Sequence, residues 1–420
     1  MRYGRALVLL LLIATGVIPA WCGEPLPTTG PVLDRPAHLT LLGVDRWHAA
    51  GFKGKGIRVA VIDSGFRGYI EHLGQALPER ITTCSFRRDG DLEAKDSRHG
   101  ILCGEVVHAI APDAELLFAN WEPDEPEAFL NAVNWARQQG AQIITCSVIM
   151  PGWSDGHGGG GAHAKLNRIL GDGTRRGDPL GFAAAGNVAE RHWAGAFHDD
   201  GRHFHQWVPG RTDNALVPWG LSPISVELTH ATTSAYRLHV LDAADHSLVG
   251  QTCRLPAERI GGSAVRLQPT VGHRYLIRVE HTAGNAGELR LVVLGGTLDF
   301  HSARWSVVFP ADGTGMLAVG AVDQAGRRQT YSGCGGGDSS ALKPDFVAPA
   351  PFATSIRPAP FSGTSAAAPQ AAGLAALLWS KHPHWTAAQV RNTLRRSCVD
   401  VGELGPDLET GFGMIHLSEK

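Results

Sequence analysis

The run GIRVAVI at residues 56–62, closed by Asp63-Ser64-Gly65, constrains the fold more than any other feature of the chain. An apolar run this short, rich in β-branched residues and ended by a turn, is what a strand buried on both faces requires. Comparable runs recur at Ala114–Ala119, Ile143–Val148, Leu180–Ala185 and Met316–Val322. Between and after them, helical spacing occupies Ala128–Gln139, Ala162–Leu170, Pro369–Trp379 and Thr386–Ser397. Strands alternating with amphipathic helices predict an α/β domain built on a parallel sheet.

One region breaks this rhythm. ISVELTH, AYRLHVLD, HRYLIRVE and ELRLVVLG, between Ile224 and Gly295, carry apolar residues at period two with no helix among them. They predict a small antiparallel β-sandwich inserted within the α/β domain rather than appended to it. The expected layout is a first α/β part at 39–204, the β insertion at 205–303 and a second α/β part at 304–420.

The first residues predict export. Arg2 and Arg5 precede the apolar run Ala6–Ala20 and a small-residue cleavage region, so residues 1–22 form a signal peptide. Lipidation of Cys22 is a weaker alternative, because bulky Trp21 stands where a small residue is expected, and a retained N-terminal anchor is another. Residues 23–38, rich in Pro and Thr, read as an extended linker. No later run reaches the roughly 20 apolar residues of a spanning helix. The destination is the cell envelope, periplasm or medium. A net charge of −2 and a pI near 6.9 give no footprint for nucleic acid. The seven cysteines contain no CxxC pair, which argues against zinc. One or two disulfides are possible after export, although Cys103 and Cys146 sit in apolar runs and could equally be small core residues.

Four short segments hold chemistry-bearing residues. VAVIDSG puts Asp63 at the carboxyl end of a strand, where functional residues of open α/β sheets gather. RHGILCGEVV puts His99 at a helix start, followed by Gly100, which permits close backbone approach. GFAAAGN ends a buried strand at Gly186-Asn187, offering a side-chain amide. FSGTSAAAPQAAG carries Ser365 through a tight turn into an Ala-rich helix. Free N–H groups there favour an adjacent oxyanion. Taken singly, each admits a plain structural role as turn, cap or surface residue.

Together the four segments resemble the Asp, His, Asn and Ser blocks of the subtilisin-like serine peptidase family, in the same chain order. The resemblance covers roughly 40–190 and 306–417 and extends to IAPDAEL, KPDFVAPA and TGFGMIHL. It implies a three-layer subtilisin-like domain and a serine endopeptidase. Asp63, His99 and Ser365 would be its triad and Asn187 its oxyanion donor, with no cofactor required. Ser147, Val148 and Gly186 would bind an extended peptide substrate. The stretch from His99 to IAPDAEL is too short for the family's usual calcium loop, so structural calcium is possible but not indicated. The interval after the signal is also short for the usual propeptide. Residues 150–163 are expected as a flexible loop shaping the specificity pocket, with His157 and His163 as solvated loop histidines rather than metal ligands. A catalytically silent binding protein and a hydrolase of non-peptide esters or amides are the alternatives.

Overall fold

A computed structural model describes residues 33–94, 97–255, 260–336 and 342–418. The expected signal peptide, residues 1–22, and with it Cys22 lie outside the described residues.

The expected parallel sheet is present and has seven strands. In chain order they are β1 (Arg58–Ile62), β2 (Ile81–Phe86), β3 (Glu115–Trp121), β4 (Ile143–Cys146), β5 (Leu180–Ala184), β15 (Met316–Val322) and β16 (Phe346–Pro349). They lie side by side as β16-β15-β5-β4-β1-β3-β2, every pairing parallel. The two-residue period divides each strand between two cores. Val59 and Val61 of β1 and Phe118 of β3 join one cluster, while Ala60, Ile62 and Leu117 join the other. Helices α3 (His99–Ile110) and α6 (Thr364–Lys381) cover the first face, and α4 (Pro126–Gln138) and α5 (Gly161–Leu170) the second. That gives three layers. Residues 364–379 of α6 are all buried. Its alanines and Gly373 allow this, since a Cβ on Gly373 would stand 2.8 Å from Ile110 of α3.

The β insertion comprises a five-stranded and a four-stranded antiparallel sheet closing on a shared apolar core that includes Leu216, Val226, Ile277 and Leu291. Four strands match the period-two runs: β8 (Ile224–His230), β9 (Ser234–Asp242), β12 (Tyr275–Gly284) and β13 (Glu288–Leu294). The insertion begins earlier than residue 205. Strand β6 (His192–Ala196) pairs with β13, although its sequence HWAGA carries no clear alternation. The stretch 23–38 is likewise not extended to its end. Helix α1 (Arg35–Leu41) starts inside it, because Asp34 accepts the Ala37 N–H at 2.8 Å as an N-cap and Pro36 suits a first turn.

Cys84, Cys103, Cys146, Cys253, Cys334 and Cys398 are all unpaired, so the disulfide expectation is corrected for the described residues. Cys103 and Cys146 are buried core side chains. Among the described residues no helix is long and apolar enough to cross a membrane.

Candidate active site

Asp63 follows β1 directly, and its N–H donates to the Ala119 carbonyl at 3.0 Å, so the sheet ladder fixes its backbone. The carboxylate is fully buried and accepts the Ser64 N–H at 2.7 Å. Both of its oxygens face Nδ1 of His99, at 2.8 and 2.9 Å. A carboxylate can only accept, so Nδ1 carries the proton and Nε2 is the basic nitrogen. Gly100, next to that imidazole, brings its N–H to the Gly65 carbonyl at 3.1 Å, where a Cβ would strike the same oxygen and the Phe66 ring.

Cys103 lies one helical turn beyond His99, on the same face of α3. Its sulfur is 3.5 Å from Asp63 Oδ2, 3.9 Å from His99 Nδ1 and 3.8 Å from the Ser365 carbonyl oxygen. The thiol therefore marks where the three segments meet. Burial pushes it up to about 11, keeping it protonated and unreactive at neutral pH. Asp63, His99 and Cys103 form a cluster of metal-ligating residue types, but the carboxylate and Nδ1 already satisfy each other.

Ser365 is the second residue of α6. Gly363 caps the helix with φ 84°, a conformation that favours glycine. Pro369 has no N–H to return to the carbonyl four residues earlier, so Ser365 O is left for other donors. The Ser147 hydroxyl donates to it at 3.1 Å, and Ser365 Oγ donates to the Ser147 carbonyl at 3.2 Å. Asn187 is tied to the same turn. Its Oδ1 accepts the Thr364 N–H and the Thr364 hydroxyl, each at 2.9 Å, and Thr364 Oγ1 accepts the Gly186 N–H at 3.2 Å. A main-chain donor on Oδ1 fixes the orientation of the amide and turns its NH₂ group the other way.

The structure thus brings Asp63, His99, Asn187 and Ser365 to one place, at the carboxyl ends of β1, β4 and β5. Ser147 touches Ser365, and Val148 and Gly186 follow the same two strand ends. The expectation for 150–163 is corrected. Pro151–Trp153 is a buried 3-10 turn, with Trp153 packed on Phe129 and Phe309, and α5 starts at Gly161. His163 is no loop histidine. It is 1% exposed and 2.8 Å from Asp312, which also accepts from the Ser154 hydroxyl. His157 is exposed. Sequence reasoning assigns neither Thr364 nor Cys103 to the site. Thr364 is the neighbour of Ser365, and Cys103 stands four residues after His99, a spacing that could have marked it.

Residues 273–413 match the family model described as Subtilase family. Alkaline elastase YaB of Bacillus sp. is 38% identical over 120 residues, 28% of this chain and 29% of that protein. A thermostable alkaline protease of Halalkalibacterium halodurans is 34% identical over 156 residues, covering 36% and 39%. Subtilisin of Bacillus pumilus is 39% identical over 116 residues, covering 27% and 39%. The matches span only between 29% and 39% of the length of these relatives. The solved CspB protease of Clostridium perfringens superimposes with TM-score 0.61 at 15% identity, over 90% of this chain and 97% of that one. MycP1 without its N-terminal propeptide superimposes with TM-score 0.50 at 17% identity, covering 90% and 94%. At such identities the likeness is one of fold. Fold and sheet order define an α/β domain of the subtilisin type. The family match covers residues 273–413, which include Ser365 and its turn.

Proposed function

We propose that this chain is an exported serine endopeptidase that hydrolyses peptide bonds through an acyl-enzyme on Ser365. The observation that carries the reading is the shared turn of Asn187 and Ser365, which commits the amide oxygen and leaves its NH₂ as a donor to an oxyanion. His99 takes the Ser365 proton on Nε2 as the hydroxyl attacks, and returns it to the leaving amine. Asp63 holds the tautomer and stabilises the imidazolium. The tetrahedral oxygen is met by the Asn187 NH₂ and the Ser365 N–H at the start of α6, where the helix dipole also favours negative charge. An extended substrate pairs along Ser147 and Val148 and past Gly186, with backbone hydrogen bonds supplying affinity. No step calls for a cofactor. The charged, apolar and small residues of the first 22 positions support export.

Serine-directed fluorophosphonate labelling tests the reading. The mature protein should label at Ser365 and digest casein, and Ser365→Ala should lose both while keeping its circular dichroism spectrum. A folded wild type that neither labels nor cleaves would exclude the enzyme.

A further inference from the structure

We propose that the substrate residue whose carbonyl is attacked must carry a small neutral side chain, because Val308 floors the slot that receives it and the β insertion holds that floor in place. The inference rests on the peptidase reading and names its substrate class.

Strands β4 and β5 are neighbours in the sheet, but past Cys146 and Ala184 their chains part. Ser147 turns toward Ser365, while the Gly186 carbonyl accepts the Gly333 N–H at 2.8 Å. A carbonyl carbon on Ser365 Oγ, with its oxygen at the Asn187 amide, lies between these two chain ends. The side chain of the residue that owns it must enter between 147–149 and 185–187. That space is lined rather than open. A Cβ on Gly186 would stand 2.9 Å from Val308 Cγ2 and 3.7 Å from Ile149 Cγ2. Val308 is fully buried in a small cluster with Val188 and Val292, flanked by Ile149 and Leu294. No charged side chain belongs to the cluster, so a side chain entering there meets close-packed apolar groups.

The floor does not rest on the catalytic domain alone. Val292 and Leu294 come from β13 of the insertion. So does Arg290, whose guanidinium donates to the Val307 carbonyl at 2.8 Å and the Trp305 carbonyl at 3.3 Å, just before Val308. Its Nε–H donates to His192 Nε2 at 3.1 Å, and His192 Nδ1 is 2.9 Å from the Ser302 carbonyl, which fixes that tautomer. The other wall is tied to the same strand. The Val293 N–H donates to the Arg191 carbonyl at 2.9 Å, and the Arg191 guanidinium donates to the Asn187 carbonyl at 2.7 and 3.0 Å. Buried arginine forks bonded to main-chain carbonyls resist displacement, since leaving them would strand charge in an apolar interior. The insertion is therefore part of the specificity apparatus.

Profiling with peptides varied only at the residue before the cleaved bond tests this, alongside fluorophosphonate titration to count competent Ser365. Ala, Gly and Ser should exceed Leu, Phe, Lys and Glu by at least about 100-fold in kcat/KM, given the ~10–200-fold that one methylene can decide in an apolar site. Val308→Gly, or the milder Val308→Ala, should raise cleavage after Leu and Phe and narrow that ratio at least about tenfold. If neither variant folds, the wild-type profile alone decides. Wild type cleaving after Phe or Leu within tenfold of Ala would overturn the inference, as would folded Val308 variants with an unchanged ratio. Labelling at Ser365 without a small-residue preference sinks only the inference. Neither labelling nor cleavage sinks the peptidase reading beneath it as well.

Discussion

In the proposed mechanism Asn187 serves two groups through two ends of one amide, and variants can separate them. Asn187→Ala removes the NH₂ donor, which for one oxyanion-hole donor costs about 10²–10³ in kcat, or roughly 3–4 kcal/mol of transition-state stabilisation. It also strips the acceptor from the Thr364 N–H and hydroxyl, both on a fully buried residue. An orphaned buried donor costs about 1–3 kcal/mol, so the variant should melt a few degrees below wild type as well. Asn187→Asp keeps the acceptor at the same place, and its negative charge sits favourably at the start of α6. Its melting temperature should stay near wild type. Its kcat should nevertheless fall at least as far as that of Asn187→Ala, because an ionised carboxylate donates nothing and repels the oxyanion. Steady-state hydrolysis of a chromogenic peptide and thermal melts by circular dichroism would read the two effects. A folded Asn187→Ala with kcat within about threefold of wild type would refute the donor role, and an Asn187→Asp as active as wild type would do the same.

Two further outcomes follow from burial. His192 is brought down to about 3, first by burial and then by the charge of Arg290, and His205 to about 4, first by burial and then by His198. Both stay neutral in the folded protein well below the ~6.5 at which an unfolded histidine binds its proton, so acid favours the unfolded chain. Melting temperature should fall steadily from about pH 6.5 toward pH 4, and a flat profile over that range would contradict the burial of both rings. Gly100→Ala would press a Cβ within 2.7 Å of the Gly65 carbonyl oxygen, beside His99. Overpacking of this kind costs about 1–3 kcal/mol and should also lower kcat, whereas a variant with wild-type melting and turnover would contradict the close approach.

The sheet was readable because a strand buried on both faces must be largely apolar, and β5, β15 and β1 after Arg58 carry that composition without interruption. The period-two runs of β8, β12 and β13 were readable for a similar local reason. Strand β6 was not. HWAGA is ordered by pairing with β13, nearly a hundred residues away, and not by a pattern of its own. The same holds for residues 150–163, where seven glycines and prolines suggest mobility until Trp153 and His163 find partners from residues 309–312.

What the sequence alone determined was which residues to expect at the proposed site. Asp63, His99, Asn187 and Ser365 each stand beside a local signal, a strand end, a helix start or a tight glycine turn, and such signals need no distant partner. What only the tertiary structure decided is how those groups are held and what they admit. Thr364 locks the Asn187 amide, Ser147 and Cys103 take up the carbonyl that Pro369 releases, and Val308 meets Gly186 under the support of Arg290. Each of those contacts joins residues far apart in the chain, and no local pattern encodes them, because proximity across the fold comes from packing the sheet, its helices and the β insertion together.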